Sequence, residues 1–312
     1  MFAFAHSAWL VFVAAILSGL GGALFGPADA AALAVVVEGE ERARVFARRV
    51  VFGNAGMILG PVIGAYLVTA DFALVAWLAG LLFLSAGIFT AVFYPAAASR
   101  PRPNAAEGVN AWRLVLANRP FVQLTLIVSG YYLLNSQINI LIPLVVVFDH
   151  QSPAIVGWML ALYSGVTLLL QTRVTERVKS LPVERQLVWG LLAATVGMAI
   201  SSLSTWVVWA LVPGVLALSA AAMLINPALF TATARLAEES AFGLFYGFSR
   251  LSLGVGGSLG NAVGGLLFSW GTAVGLPGLP WMVMGVMGLI SAQAMRRWSL
   301  HPSVQATGRA SL

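Results

Sequence analysis

The 312-residue chain contains no cysteine, and only 9% of its residues are charged, whereas 60% are hydrophobic. The absence of cysteine excludes disulfide bonds, thiol catalysis and thiolate metal sites. A water-soluble domain carries roughly a quarter charged residues, so this composition excludes a soluble globule and indicates a membrane protein. Its three histidines, His6, His150 and His301, are far apart in the sequence. We therefore expect no metal site and no cofactor.

Long apolar runs account for most of the sequence. A membrane-spanning helix needs about 20 apolar residues, and nine runs approach or exceed that length. They lie at 8–37, 50–70, 72–94, 121–148, 155–171, 187–203, 207–233, 251–270 and 279–295. The runs are continuously apolar, without the alternation of period two that barrel strands show. The sequence therefore predicts an all-α polytopic membrane protein with nine transmembrane helices.

Basic residues fall on one side of this topology. All 17 lie in the connections after the first, third, fifth and seventh runs or in the C-terminal tail. The positive-inside rule then predicts a cytoplasmic C-terminus and an N-terminus outside the cell. Because these residues are dispersed, the net charge of +6 does not indicate nucleic-acid binding.

The sequence also repeats itself at a distance of 200 residues. The shift aligns Pro27 with Pro227 and Glu38 with Glu238, and it aligns Gly56, Gly60 and Gly64 with Gly256, Gly260 and Gly264. Runs one to three thus match runs seven to nine in the same orientation, whereas runs four to six have no earlier counterpart. Parallel repeats of this kind build transporters with a substrate site between two halves. We expect nine helices of a six-plus-six arrangement.

Several motifs resemble those of a known transporter family. They are Ser18-Gly19-Leu20-Gly21-Gly22, the segment 56–64, Ser129-Gly130-Tyr131-Tyr132, the segment 246–251 and Pro280-Trp281-Met282. Together they resemble the major facilitator superfamily, and within it the MdtH-type multidrug-resistance branch. The resemblance covers essentially the whole chain and implies that its spans are helices four to twelve, with the first three helices lacking.

The resemblance also implies a domain organisation. Residues 1–95 would form an incomplete N-terminal half, equivalent to helices four to six, and residues 96–120 a cytoplasmic linker. Residues 121–300 would form the six-helix C-terminal half, and residues 301–312 a cytoplasmic tail.

The segment Gly56-x-x-x-Gly60-Pro61-x-x-Gly64 is the most informative motif. Glycines spaced by four residues lie on one helix face and allow close approach of another helix. The pattern resembles the fifth-helix antiporter signature of proton-coupled exporters in the superfamily, although Ala65 replaces a further glycine. Ordinary small-residue packing is the alternative interpretation of the same spacing.

Polar residues in the fourth run suggest a substrate site. Tyr131, Tyr132, Asn135, Ser136 and Asn139 are spaced mostly by three or four residues, and polar groups in hydrocarbon face protein, water or substrate. By the resemblance, the first, fourth and seventh runs line the central cavity, which adds the candidates Phe25, Met223, Asn226 and Phe230. Interhelical hydrogen bonding, or core packing for the apolar residues, is the alternative.

Ionisable residues suggest coupling and gating roles. Asp29 is the only acid within a run and is the candidate proton carrier, although it can equally pair with an arginine. The arginine that drug-exporting relatives often carry in the fourth helix is replaced here by Ala15. Candidate residues of a cytoplasmic gate are Glu38, Glu176, Arg177, Glu238 and Arg250, and their alternative role is as solvated topological anchors.

No catalytic triad, metal cluster or phosphate loop occurs in the sequence, so an enzyme is disfavoured. The resemblance implies proton-coupled efflux of small amphipathic or cationic drugs by a monomer in the bacterial inner membrane. Two alternatives stay open at this point. One is an uptake permease for a specific metabolite, and the other is a fragment of a twelve-helix transporter that does not transport.

Overall fold

The structure, a computed structural model, describes residues 7–36, 40–93, 108–237 and 242–298, and within these ranges it contains helices and no strand. The α-helices are α1 (Ala8–Val36), α2 (Glu40–Ala70), α3 (Phe72–Phe93), α4 (Gly108–Ala117), α5 (Arg119–Asn135), α6 (Gln137–Phe148), α7 (Ala154–Val178), α8 (Val183–Ser201), α9 (Leu211–Leu236), α10 (Phe242–Ser249), α11 (Leu251–Ala273) and α12 (Leu279–Arg297). Two short 3-10 helices, Ser202–Thr205 and Val208–Ala210, connect α8 to α9. The predicted all-α class is confirmed, as expected where each segment must satisfy its own backbone hydrogen bonds in lipid.

Six segments of the described chain are helical, long and apolar enough to cross a membrane. They are Phe72–Val92, Arg119–Phe148, Ala154–Val178, Val183–Thr205, Val208–Leu236 and Leu244–Ala273. The other three predicted spans correspond to α1, α2 and α12. In α1 and α2 the described apolar stretches are shorter, Trp9–Gly22 and Leu59–Ala70. The count of nine spans and the orientation of the termini therefore stay predictions.

The chain divides into two compact units, Met1–Pro103 and Asn104–Leu312. In the first unit, α2 packs against α3. The second unit contains α4 to α12. The predicted linker at 96–120 overlaps α4, whereas the predicted tail at 301–312 lies outside the described residues.

The second unit is a helical bundle with a continuous apolar core. Helix α8 packs against α9 and α12, and α5 packs against α11 and α12, while α7 packs against α9. The largest fully buried side chains include Trp281, Tyr131, Phe121 and Phe245. The core thus draws on helices from both ends of this unit, which makes it one cooperative body.

Glycines bring the backbone of α11 into direct contact with the backbone of α5 and with side chains of α6. A β-carbon added at Gly256 would overlap the carbonyl oxygen of Ser129, and one at Gly260 would overlap the Leu133 carbonyl and the Ser136 hydroxyl. A β-carbon at Gly264 would overlap the Gln137 side chain. These three glycines are buried, and small residues are the usual means of close helix packing in membranes.

Hydrogen bonds close one end of the bundle. Asn118 caps α5 by accepting from the Phe121 backbone N–H at 3.1 Å, and its own amide donates to the Leu236 carbonyl at the end of α9 (2.9 Å). The indole N–H of Trp298, just beyond α12, donates to the Pro120 carbonyl at 2.9 Å. The start of α5 is therefore joined to the ends of both α9 and α12.

Replacing Gly260 with alanine is expected to destabilise the bundle by about 1–3 kcal/mol, because the added methyl forces α11 away from α5. Gly257→Ala on the same helix is the matched control, since nothing lies within 4 Å of a β-carbon there. The apparent unfolding temperature of the purified chain in detergent, followed by tryptophan fluorescence, measures both. Equal stability of the two variants would contradict the close-packing interpretation.

Candidate functional site

The span formed by α5 and α6 has a local irregularity at Ser136, near its middle, which we call the break. The backbone keeps helical dihedral angles there (φ −64°, ψ −19°), but the Ser136 carbonyl accepts from the Asn139 N–H, three residues further on, at 2.9 Å. Serine and asparagine side chains compete with the backbone for hydrogen bonds, which weakens a helix locally. Here the Ser136 hydroxyl donates to the Leu133 carbonyl at 2.9 Å, and the Gln137 side-chain amide donates to the same carbonyl at 2.7 Å. The break concentrates polar groups where the remainder of the span is apolar.

Two tyrosine hydroxyls converge on one amide beside this break. Tyr163, on α7, donates to the Asn135 side-chain carbonyl at 2.9 Å, and Tyr131 donates to it at 3.4 Å. Tyr131 is only 1% exposed, whereas Asn135 and Tyr163 are half-buried. The Tyr132 ring lies 5.0 Å from that of Tyr131, centroid to centroid. Aromatic rings and an amide oxygen therefore form one cluster, which we call the tyrosine–asparagine cluster: Tyr131, Tyr132, Asn135 and Tyr163.

Gln137 joins the break to α11. It is fully buried, and its amide nitrogen also donates to the Gly260 carbonyl at 3.0 Å and to the Ser136 hydroxyl at 3.2 Å. Its amide oxygen is buried and has no hydrogen-bond partner among the residues that the structure describes. The approach of α11 at Gly260 makes the interhelical bond possible. Gln137 thus fixes the geometry on which the cluster depends.

Sequence reasoning missed both Gln137 and Tyr163. Gln137 directly follows Asn135 and Ser136, which are both predicted substrate residues, and an uncharged amide within an apolar run is a detectable signal. Tyr163 lies in the fifth run, for which no group of polar residues at helical spacing was predicted. Its role becomes visible only where α7 places its hydroxyl next to Asn135.

The other predicted substrate residues of the second unit do not join the cluster. Asn139 is exposed on α6, whereas Met223 is buried on α9, where its carbonyl accepts from the Gln171 amide at 3.1 Å. Asn226 is exposed, and Phe230 is 60% exposed.

The Phe230 ring is held from one side by α10. It lies 4.7 Å from the Tyr246 ring, and the Tyr246 hydroxyl donates to the Phe230 carbonyl at 2.8 Å. Of the predicted substrate residues of the second unit, Tyr131, Tyr132 and Asn135 thus belong to the cluster, Ser136 and Met223 are buried outside it, and Asn139, Asn226 and Phe230 are exposed on α6 and α9.

The predicted residues of the first unit are described less fully. Phe25 is exposed on α1, and Asp29 belongs to the same helix, with its side chain outside the described part. Within the antiporter motif on α2, Pro61 lies inside the helix, and Gly56 and Gly60 are exposed. Among the residues that the structure describes, none lies within 4 Å of a β-carbon added at Gly56, Gly60 or Gly64. The roles predicted for these residues stay predictions.

The predicted gate residues are exposed where the structure describes them. Glu176, near the end of α7, forms an ion pair with Lys179, three residues further on, and both side chains are more than half exposed. Arg177 and Arg250 are exposed as well. Glu38 and Glu238 lie outside the described residues. In this conformation Glu176 therefore pairs within its own segment, which contributes little to stability because solvent screens it.

These features define a class of protein: an all-helical membrane protein with polar side chains gathered within one of its apolar spans. The chain belongs to the Major Facilitator Superfamily, whose family model matches residues 1–261. The multidrug resistance protein MdtH of Klebsiella pneumoniae (strain 342) is 35% identical over 98% of this chain and 75% of its own length. MdtH of Salmonella newport (strain SL254) is 34% identical over 93% of this chain and 72% of its own length.

The resemblance predicted from the motifs is confirmed by these matches. The chain is a multi-pass protein of the inner membrane, and its family is one of transporters rather than enzymes.

The substitution Gln137→Leu is expected to lower the free energy of unfolding by about 1–3 kcal/mol, because the Gly260 carbonyl then loses its side-chain donor in a buried site. Gln123→Leu is the matched control, since Gln123 is exposed on α5. Unfolding of the purified variants in detergent, followed by circular dichroism, compares them. If both variants were equally stable, Gln137 would not hold the break.

Proposed function

We propose that this chain is a multidrug exporter that expels small amphipathic or cationic drugs by proton-coupled alternating access. The observation that carries the proposal is the tyrosine–asparagine cluster at the break in α5–α6, in a chain whose superfamily is one of transporters. The two MdtH relatives, both named multidrug resistance proteins, support the choice of substrate class.

The chemistry of the cluster suits such substrates. A cationic aromatic compound gains from stacking on tyrosine rings and from attraction between its charge and their π-faces. The Asn135 carbonyl already accepts two hydroxyls, so a ligand ammonium group competes for an oxygen that is held in a fixed place. Asn135 and Tyr163 are the members most accessible to a ligand, because they are half-buried rather than enclosed.

Exposed asparagines extend the polar surface beyond the cluster. Asn139 on α6 and Asn226 on α9 are both exposed although they belong to apolar spans. A polar side chain at membrane depth faces water, substrate or protein rather than lipid. We assign both to the path of the substrate, together with Phe25, Met223 and Phe230 as adaptable apolar contacts.

Alternating access requires two bodies that move relative to each other. The separation of the chain into two compact units supports this mechanism. We assign proton coupling to Asp29 on α1 and the antiporter motif to Gly56, Gly60, Pro61 and Gly64 on α2. Glu38, Glu176, Arg177, Glu238 and Arg250 are then the gate, with Glu176 exchanging Lys179 for another cation between states. The transporter acts as a monomer.

Transport is tested in drug-sensitive bacteria that express the chain, loaded with a fluorescent cationic dye. We expect faster dye efflux than in cells with an empty vector, and we expect a protonophore to abolish the difference. Dye accumulation above the vector control would instead indicate uptake. Identical dye levels in both strains, with the protein confirmed in the membrane, would contradict export.

Asp29→Asn is expected to reduce efflux to the rate of the vector control, because an amide cannot carry a proton. Asp71→Asn is the matched control. Asp71 is exposed between α2 and α3, where its carboxylate accepts from the Ala73 backbone N–H at 2.8 Å, and asparagine caps a helix equally well. Dye efflux after re-energising the cells measures both variants. Equal rates would exclude Asp29 as the proton carrier.

A further inference from the structure

A cavity of about 300 Å³ lies between the first turns of α8 and the end of α12, away from the tyrosine–asparagine cluster. Its lining residues are Glu184, Arg185, Val188, Trp189, Leu192, Met295, Arg296 and Trp298. One wall is firmly held, because Met295 and Trp298 are buried and the Trp298 indole is hydrogen-bonded to the Pro120 carbonyl. The proposed transport function uses none of these residues.

The cavity is positively charged and its cations are unpaired. Arg185 and Arg296 contribute two guanidinium groups, against the single carboxylate of Glu184. Among the described residues the ion pair within 4 Å is that of Glu176 and Lys179, so neither arginine has a carboxylate partner there. In addition, Pro182 is the N-cap of α8, and no side chain caps this helix. The first turn of α8 therefore adds free N–H groups and a partial positive charge.

The cavity lies at the end of an apolar outer surface. Helices α8 and α12 pack against each other, and their outward side chains are large and exposed. These side chains are Trp189 and Val196 on α8, Leu203 in the 3-10 helix that follows it, and Met282, Val286, Leu289 and Ile290 on α12. Exposed apolar side chains on membrane helices face lipid, and tryptophan is enriched at the level of the headgroups. An occupant of the cavity thus has access to the acyl-chain region directly beside it.

We propose that this cavity binds the headgroup of an anionic phospholipid of the phosphatidylglycerol type. Arginine forms bidentate hydrogen bonds with a phosphate, and Arg185 and Arg296 are placed for a phosphodiester. Glu184 accepts hydrogen bonds only, which suits the hydroxyls of a glycerol headgroup. Two arginines and one glutamate leave one net positive charge, which matches the single negative charge of this lipid.

Size and position agree with this occupant. A volume of 300 Å³ corresponds to about ten water molecules at about 30 Å³ each, enough for a phosphate with its glycerol. The acyl chains then lie along the exposed residues of α8 and α12. A zwitterionic lipid has no net charge and leaves the excess positive charge of the cavity unneutralised.

Native mass spectrometry of the full chain, purified in detergent and titrated with defined lipids, tests the proposal. We expect phosphatidylglycerol to be retained about tenfold more tightly than phosphatidylcholine of the same acyl chains. A tenfold ratio of affinities corresponds to the free energy of about one charge-assisted hydrogen bond. Equal retention of the two lipids by the unaltered chain would overturn the proposal, and this comparison requires no variant to fold.

Matched variants locate the site. Arg296 and Arg297 both belong to the last turn of α12 and are both exposed, but only Arg296 lines the cavity. We expect Arg296→Gln to weaken phosphatidylglycerol binding about tenfold and Arg297→Gln to leave it unchanged. Equal weakening by both variants would indicate general attraction to anionic lipid and would overturn the assignment to this cavity.

A soluble competitor separates a lipid from a free anion. Glycerol 1-phosphate carries the same phosphate and glycerol groups without acyl chains. We expect it to displace phosphatidylglycerol only at concentrations far above that of the lipid, since it lacks the contacts along α8 and α12. Displacement at equal concentration would show a site for soluble phosphate esters and would overturn the lipid assignment.

Discussion

The close approach of α11 to the span α5–α6 is the contact on which the second compact unit depends. Without side chains at Gly256 and Gly260, the two backbones meet directly. The Gln137 amide then reaches carbonyls on both helices, at Leu133 and Gly260. These bonds tie the break to α11, next to Asn135, whose side-chain carbonyl accepts two tyrosine hydroxyls. Close packing of the helices therefore determines where these polar side chains lie.

The helical class and the superfamily were predictable, because lipid leaves a long apolar run few conformations other than a helix. The glycine repeat was also visible in the sequence, but its two copies looked equivalent. In the described part of the structure Gly260 contacts α5, whereas no described residue lies within 4 Å of a β-carbon at Gly60. Periodicity identifies the face of a helix that can pack closely, and it does not identify the neighbour. Hydropathy likewise located the spans but left the count of nine undecided, since the described apolar parts of α1 and α2 are short.

The candidate site was predictable only in part. Spacing along one helix selected Tyr131 and Asn135, which do interact, because neighbours at i and i+4 share a face. The same spacing grouped Asn139 with them, although Asn139 is exposed and outside the cluster. Tyr163 was missed because its contact with Asn135 joins two helices, and no single-helix pattern encodes that geometry. Glu176 pairs with Lys179 because the two residues are only three positions apart, and the motif that this segment resembles did not predict the pair.

The hydrogen bond from Trp298 to Pro120 brings the start of α5 close to the end of α12. Chain termini that lie close together tolerate being joined, with new ends opened elsewhere on the surface. The connection between α8 and α9, made of two short 3-10 helices with exposed Trp206 and Val207, offers such a place. A chain permuted in this way keeps the packing of α8 on α9 and α12 and of α5 on α11 and α12, whereas the buried Val115 of α4 precedes Pro120 and needs a connection of its own.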